Sequence, residues 1–200
     1  MMISKILVTG ITVLTILFSG CAASVKEGVP WSIRVAAPKH YEVWVEQMFL
    51  EKTGERSWRQ PIGSVGCCWR GARGPSGKGA SVEPFPELIF LKWFSFAEQK
   101  YYVKLIEVPQ ALQERMLEPA SYKTQIDERT GPRHSMVIGL APGGTVVVWI
   151  MNQIGNEIEV MRMQASEGPG DPSDFTERTK GYLKRHGDYL QEHGIPKEGW

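Results

Sequence analysis

The 200-residue chain predicts a mainly antiparallel β fold, sandwich-like, with about seven strands built from hairpins, one short helix and a C-terminal helix. Three observations point there. Segments that alternate apolar and polar residues recur in pairs, each pair separated by a few turn-forming residues. Gly (21) and Pro (13) are too frequent for a helical bundle or coiled coil. Only two stretches carry a helical period, so the class becomes α+β if both helices pack on one face. Aromatic residues make up 10% of the chain and are spread along it, which excludes a long disordered polymer.

The chain opens with an export signal, residues 1–20. Met1 to Lys5 is a short n-region with one positive charge, and Ile6 to Phe18 holds only apolar residues, Thr and Gly. That run suits a signal-peptide core and is too short to span a bilayer comfortably. It ends in Leu17-Phe18-Ser19-Gly20-Cys21, which resembles the lipobox of bacterial lipoproteins, with Phe18 standing where Leu is usual. The resemblance implies cleavage before Cys21 and diacylglycerol on its thiol. Ala22 follows, not the Asp of an inner-membrane retention signal, so the same resemblance implies the periplasmic side of the outer membrane. Each buried acyl methylene contributes about 0.8 kcal/mol, so several chains anchor the protein without a transmembrane helix. Residues 21–29 are then a lipidated tether, and 30–200 a single β-rich domain.

Within that domain, Trp31 to Val35 and Tyr41 to Glu46 alternate around Pro38-Lys39-His40 and read as a first hairpin. Residues 52–86 are rich in Gly and Pro, show no sustained period and read as a long loop. Leu88 to Phe96 and Tyr101 to Val108 form a second hairpin around Ala97-Glu98-Gln99-Lys100. Pro109 opens a short helix to Leu117, with Leu112 and Met116 on its apolar side. Met136 to Ala141 and Thr145 to Met151 flank Pro142-Gly143-Gly144, a type II turn sequence. A further strand, Glu157 to Gln164, completes a meander. Val146 to Ile150 is apolar at every position, as expected of a strand covered on both sides. The last helix has a capping signal in Asp174 with Glu177, a stop in Gly194 with Pro196, and a face of Phe175, Thr179, Tyr182, Leu183, His186 and Leu190.

Chemistry is less legible than address. Lys+Arg 23 against Asp+Glu 22 leaves a charge of +1 and no electrostatic case for nucleic acid. His40, His134, His186 and His193 lie in separate elements, with His186 expected to be packed on an apolar helix face and His40 a turn residue. No HExxH, nucleophile elbow or metal-ligand spacing occurs, so no catalytic residue, metal or cofactor is expected. Glu42 with Glu46, and Glu157 with Glu159, read as solvated strand faces. Ala72 to Gly79 approaches a phosphate-binding loop, but Gly79 replaces the hydroxyl residue after Lys78, and a basic surface loop is expected. Trp58, Arg59, Trp69, Arg70 and Arg73 are interface-enriched types and mark a candidate partner-binding loop. Cys67 and Cys68 are adjacent, where a disulfide is strained, so a vicinal disulfide and two reduced thiols both stay open.

Three further stretches carry a resemblance. Trp31 to Glu46, Leu140 to Trp149 and the ending His193-Gly194-Ile195-Pro196-Lys197-Glu198-Gly199-Trp200 look like a domain-of-unknown-function family of Gram-negative lipoproteins. Some members are associated with phospholipase effectors of the type six secretion system as immunity proteins. The resemblance implies a non-enzymatic, membrane-tethered binding module whose partner is a phospholipase, with loops at one end of the sheet occluding it. The alternative is a structural or stress-related envelope lipoprotein. A third expectation, an envelope hydrolase, requires the fold to bring a histidine, a serine and a carboxylate into one cleft.

Overall fold

The computed structural model describes residues 29–69 and 75–200. Its strands are β1 (Ser32–Ala36), β2 (Val43–Lys52), β3 (Arg56–Arg59), β4 (Gly63–Val65), β5 (Lys78–Ser81), β6 (Leu88–Ser95), β7 (Lys100–Glu107), β8 (Ala120–Lys123), β9 (Glu128–Gly131), β10 (Ser135–Ala141), β11 (Thr145–Met151), β12 (Ile158–Gln164) and β13 (Ser166–Glu167). The helices are α1 (Gln110–Leu117) and α2 (Thr176–His193), the latter entered through a 3-10 turn at Pro172–Phe175. Five strands form one sheet in the order β12-β11-β10-β1-β5, and six form a second, β13-β7-β6-β2-β3 with β4 also on β2. A separate hairpin joins β8 to β9. All these pairs are antiparallel except β1 with β10, so the fold is mainly antiparallel β and sandwich-like, as the sequence predicts.

All seven expected strands are present, and the two inner hairpins keep their pairing: β6 with β7, and β10 with β11. Gly143 takes φ 74 and ψ 7, the geometry that a type II turn requires at its third position. The first hairpin does not form. β1 and β2 lie in different sheets, and Pro38-Lys39-His40 is an arch between them, with His40 at φ 72. The reason lies in burial: β1 hides Ile33 and Val35 between the sheets and Ala36 on the opposite side, so it needs an interior position, between β10 and β5.

The 52–86 loop also proves partly ordered, holding β3, β4 and β5. These strands have no apolar alternation because they are short and sit at edges. Glycine permits β5 to dock: a Cβ on Gly79 would stand 1.9 Å from the Ile33 carbonyl oxygen, and one on Gly77 2.1 Å from that of Val35. In the described part, these glycines of the phosphate-loop-like stretch are there for strand packing.

The main core fills the space between the sheets with Ile33, Val35, Val45, Met48, Leu50, Ile89, Leu91, Trp93, Met136, Ile138, Val146, Val148 and Ile150. Each such side chain contributes roughly 1.5–3 kcal/mol relative to exposure. Both outer faces are covered as well. Trp69 and Trp200 pack over Ala36, Val137, Val147, Trp149 and Met151 outside the five-stranded sheet. Helix α2 lays Phe175, Tyr182 and Leu190 over Phe94, Phe96 and Tyr101 outside the six-stranded one. β11 accordingly buries alternate residues in two different cores, which explains its unbroken apolar run.

Helix α2 differs from expectation at its start. The cap is Asp171, whose carboxylate accepts from the Ser173 amide, and Asp174 lies inside the 3-10 turn. Gly194 ends the helix at φ 69. Leu183 points outward, 40% exposed, because the helix presents only Phe175, Thr179 and Tyr182 fully to the sheet. No helix of the described residues is long and apolar enough to cross a membrane.

Candidate functional site

The β1–β2 arch, the second half of α2 and the C-terminal tail meet at one corner of the sandwich. Tyr182, almost fully buried, donates its hydroxyl to the His40 carbonyl oxygen at 2.7 Å. Burial and the nearby Glu42 carboxylate push its ionisation well above the ordinary tyrosine range. Beside it, the Nδ1 atoms of His40 and His186 stand 3.3 Å apart. Nε2 of His186 lies 2.9 Å from Oε1 of Glu42. Arg185 donates one guanidinium nitrogen to both oxygens of the same carboxylate, at 3.2 and 3.0 Å.

Glu42 and His186 therefore depart from expectation. Glu42 lies half-buried under α2 rather than on a solvated strand face, and His186 adds contacts to Glu42 and His40 to its packing against Tyr182. The ring of His40 stacks on Tyr189 (3.8 Å between centroids), whose ring in turn stacks on His193 (4.1 Å). Three of the four histidines, drawn from two distant parts of the chain, thus share one cluster. His134 is elsewhere, beside Pro132.

Next to the cluster lies an open cleft of ≈520 Å³ lined by Pro38, Lys39, Tyr41, Trp69, Tyr189 and Trp200 among others. Its walls are locked edge-to-face: Tyr41 to Trp200 at 5.2 Å, Trp69 to Trp149 at 4.9 Å, and Trp69 to Trp200 at 6.1 Å. Tyr41 donates to the Gly194 carbonyl at 3.0 Å and the Trp200 indole donates to Pro196 at 3.0 Å, so the tail is strapped across the opening. Burial, with Tyr189 beside it, raises the ionisation of Tyr41. The cleft's volume and aromatic walls fall within the range of ligand-binding clefts.

The residues of the expected partner-binding loop are dispersed. Trp58 and Arg59 stand on edge strand β3, where Arg56 covers the Trp58 ring at 4.9 Å and Arg59 donates to the Glu46 carbonyl. Trp69 is 3% exposed and forms a cleft wall from within, so its ring is largely committed to the protein interior. Cys67 and Cys68 are bonded to each other, their Cα atoms 3.7 Å apart, just before Trp69. Their segment is fixed to the end of β1: the Ala37 amide donates to the Cys67 carbonyl, and the Trp69 amide to that of Ala37. Arg70, Arg73 and Cys21 lie outside the described residues. Glu159 pairs with Arg162 on the open face of β12.

A family model described as "Protein of unknown function (DUF2931)" matches residues 22–198. The chain belongs to this family. No characterised protein and no solved structure matches it significantly. The segments that carry the family-like motifs in the sequence converge here. The arch and the tail line the cleft, and a Cβ on Gly143 of the β10–β11 turn would stand 2.7 Å from the Lys197 carbonyl of the tail.

Among the described residues no serine hydroxyl is hydrogen-bonded to a histidine, and no group of three or more His, Cys, Asp or Glu side chains is gathered as a metal site. The His40–His186–Glu42 contact went unread in the sequence because its members lie about 145 positions apart, and only the spacing of His186, Tyr189 and His193 on one helix hinted at it.

Proposed function

We propose that this protein is a lipid-anchored binding module on the periplasmic side of the outer membrane, and that it protects against a secreted phospholipase by occluding it. Cys21, placed after an apolar run of signal-peptide length, supports the anchor. The resemblance to lipoproteins associated with phospholipase effectors supports the partner. The observation that carries a binding role is the aromatic cleft of Tyr41, Trp69, Tyr189 and Trp200. Rigid aromatic side chains give large contact area for little lost conformational freedom, and such residues dominate interface energies. Tethering at a lipid surface raises the local concentration of the module where a phospholipase must work.

The test mixes the full-length, lipidated protein in vesicles with any phospholipase encoded next to its gene, following lipid hydrolysis and complex formation. The expected result is a one-to-one complex with hydrolysis abolished, and binding weakened by about thirtyfold or more in Tyr189→Ala, as for an interface hot spot. No complex at micromolar protein would sink the inhibitor reading and leave an envelope component without a toxin partner. Inhibition that survives Tyr189→Ala but is lost in Trp58→Ala and Arg59→Ala would move the seat from the cleft to the β3 edge.

A further inference from the structure

We propose that His40 and His186 form an acid-released clasp that holds the second half of α2 against the β1–β2 arch, and so keeps the Tyr189 wall of the aromatic cleft in place. The geometry carries this. Two ring nitrogens 3.3 Å apart form a hydrogen bond only when one carries a proton and the other accepts it. Glu42 fixes the other side of His186 by accepting from Nε2, which leaves Nδ1 of His186 to face Nδ1 of His40. The closed arrangement therefore admits the neutral pair or a pair carrying one positive charge. Protonating both rings would bring two N–H groups head to head.

The surrounding charges offer that second proton no counter-ion. From the arch come Lys39, Tyr41 and Glu42, and from α2 Tyr182, Arg185, Tyr189 and His193, with Glu192 3.8 Å from His193. Among the described residues Glu42 is the one carboxylate paired with either ring, and Arg185 already shares it. Consistent with this, burial first, then the charges of Lys39, His186 and His193, hold His40 below its ordinary value of 6.5. A folded-state value below the unfolded one means that the clasp is at full strength above 6.5 and weakens as the pH falls beneath it.

The helix supplies the place to yield. Phe175, Thr179 and Tyr182 pin its first half to the sheet by burial. Past His186 the rest of the helix is held by Tyr189, stacked between His40 and His193, and by partial burial of Leu190, while the tail beyond it is fixed separately by Tyr41, Trp69 and Arg162. Gly187, the weakest helix former apart from proline, directly follows His186. Release at the histidine pair would loosen residues 187–193 and with them the cleft wall that Tyr189 forms.

Hydrogen exchange on the full-length protein without any partner tests the clasp separately from the binding reading. On going from about pH 7.5 to about pH 5.5, corrected for intrinsic exchange, amides of 187–193 should lose protection, while Phe175–Tyr182 and strands β10 and β11 keep theirs. His40→Asn, which tolerates the left-handed backbone at this position, and His186→Gln, which retains a donor to Glu42, should each abolish the acid step. Equal protection at both pH values in the wild-type protein overturns the proposal, as does an undiminished step in both variants.

Discussion

Gly139 shows how tightly single residues constrain the cover over the five-stranded sheet. It lies in the middle of β10 with Trp69 and Trp149 crossing above it. A Cβ there would stand 2.3 Å from the Trp69 ring and 2.6 Å from that of Trp149. Gly139→Ala is expected to lower unfolding stability by about 1–3 kcal/mol, the range for overpacking, as measured by urea titration. Nothing in the local sequence marked this glycine, because it sits in a strand and its need arises from a tryptophan 70 positions away. Trp69 itself was misleading for the same reason. In a stretch without apolar period it reads as a surface aromatic, yet the covering of an outer sheet face is set by tertiary contacts that no short window records. The adjacent cysteines were legible as a pair, and only coordinates bring their sulfurs together.

Elements were read better than contacts. The β6–β7 and β10–β11 hairpins and α1 announce themselves through turn chemistry and periodicity, and these signals are local. The β1–β2 arch failed because Pro38-Lys39-His40 suits an arch between sheets as well as a hairpin within one, and burial decides between them. In α2, Gly187 faces open space, with nothing within 4 Å of a built Cβ. Gly187→Ala is therefore expected to raise stability by about 1 kcal/mol in thermal or denaturant unfolding. Tyr182→Phe removes the hydroxyl that reaches the His40 carbonyl and should lower stability by roughly 1 kcal/mol with the helix otherwise in place, a loss visible by circular dichroism during unfolding.

At the scale of the whole molecule, two sheets share one core and each carries a second cover, so the chain is four layers deep where the tail crosses the five-stranded sheet and α2 crosses the other. The tail belongs to this architecture as a structural part. Trp200→Ala should lower stability by about 2 kcal/mol, less than for a fully buried tryptophan, and should increase binding of an apolar dye over the exposed Trp69. The parallel pairing of β1 with β10 bears on how such a molecule is made. Ser32 and Ser135, 103 positions apart, are joined by a 2.8 Å hydrogen bond within that pairing. The first strand to leave a ribosome must wait, unpaired on this edge, until more than half the chain has followed. Loop closure over such a distance slows folding, so the five-stranded sheet closes only once most of the chain is present.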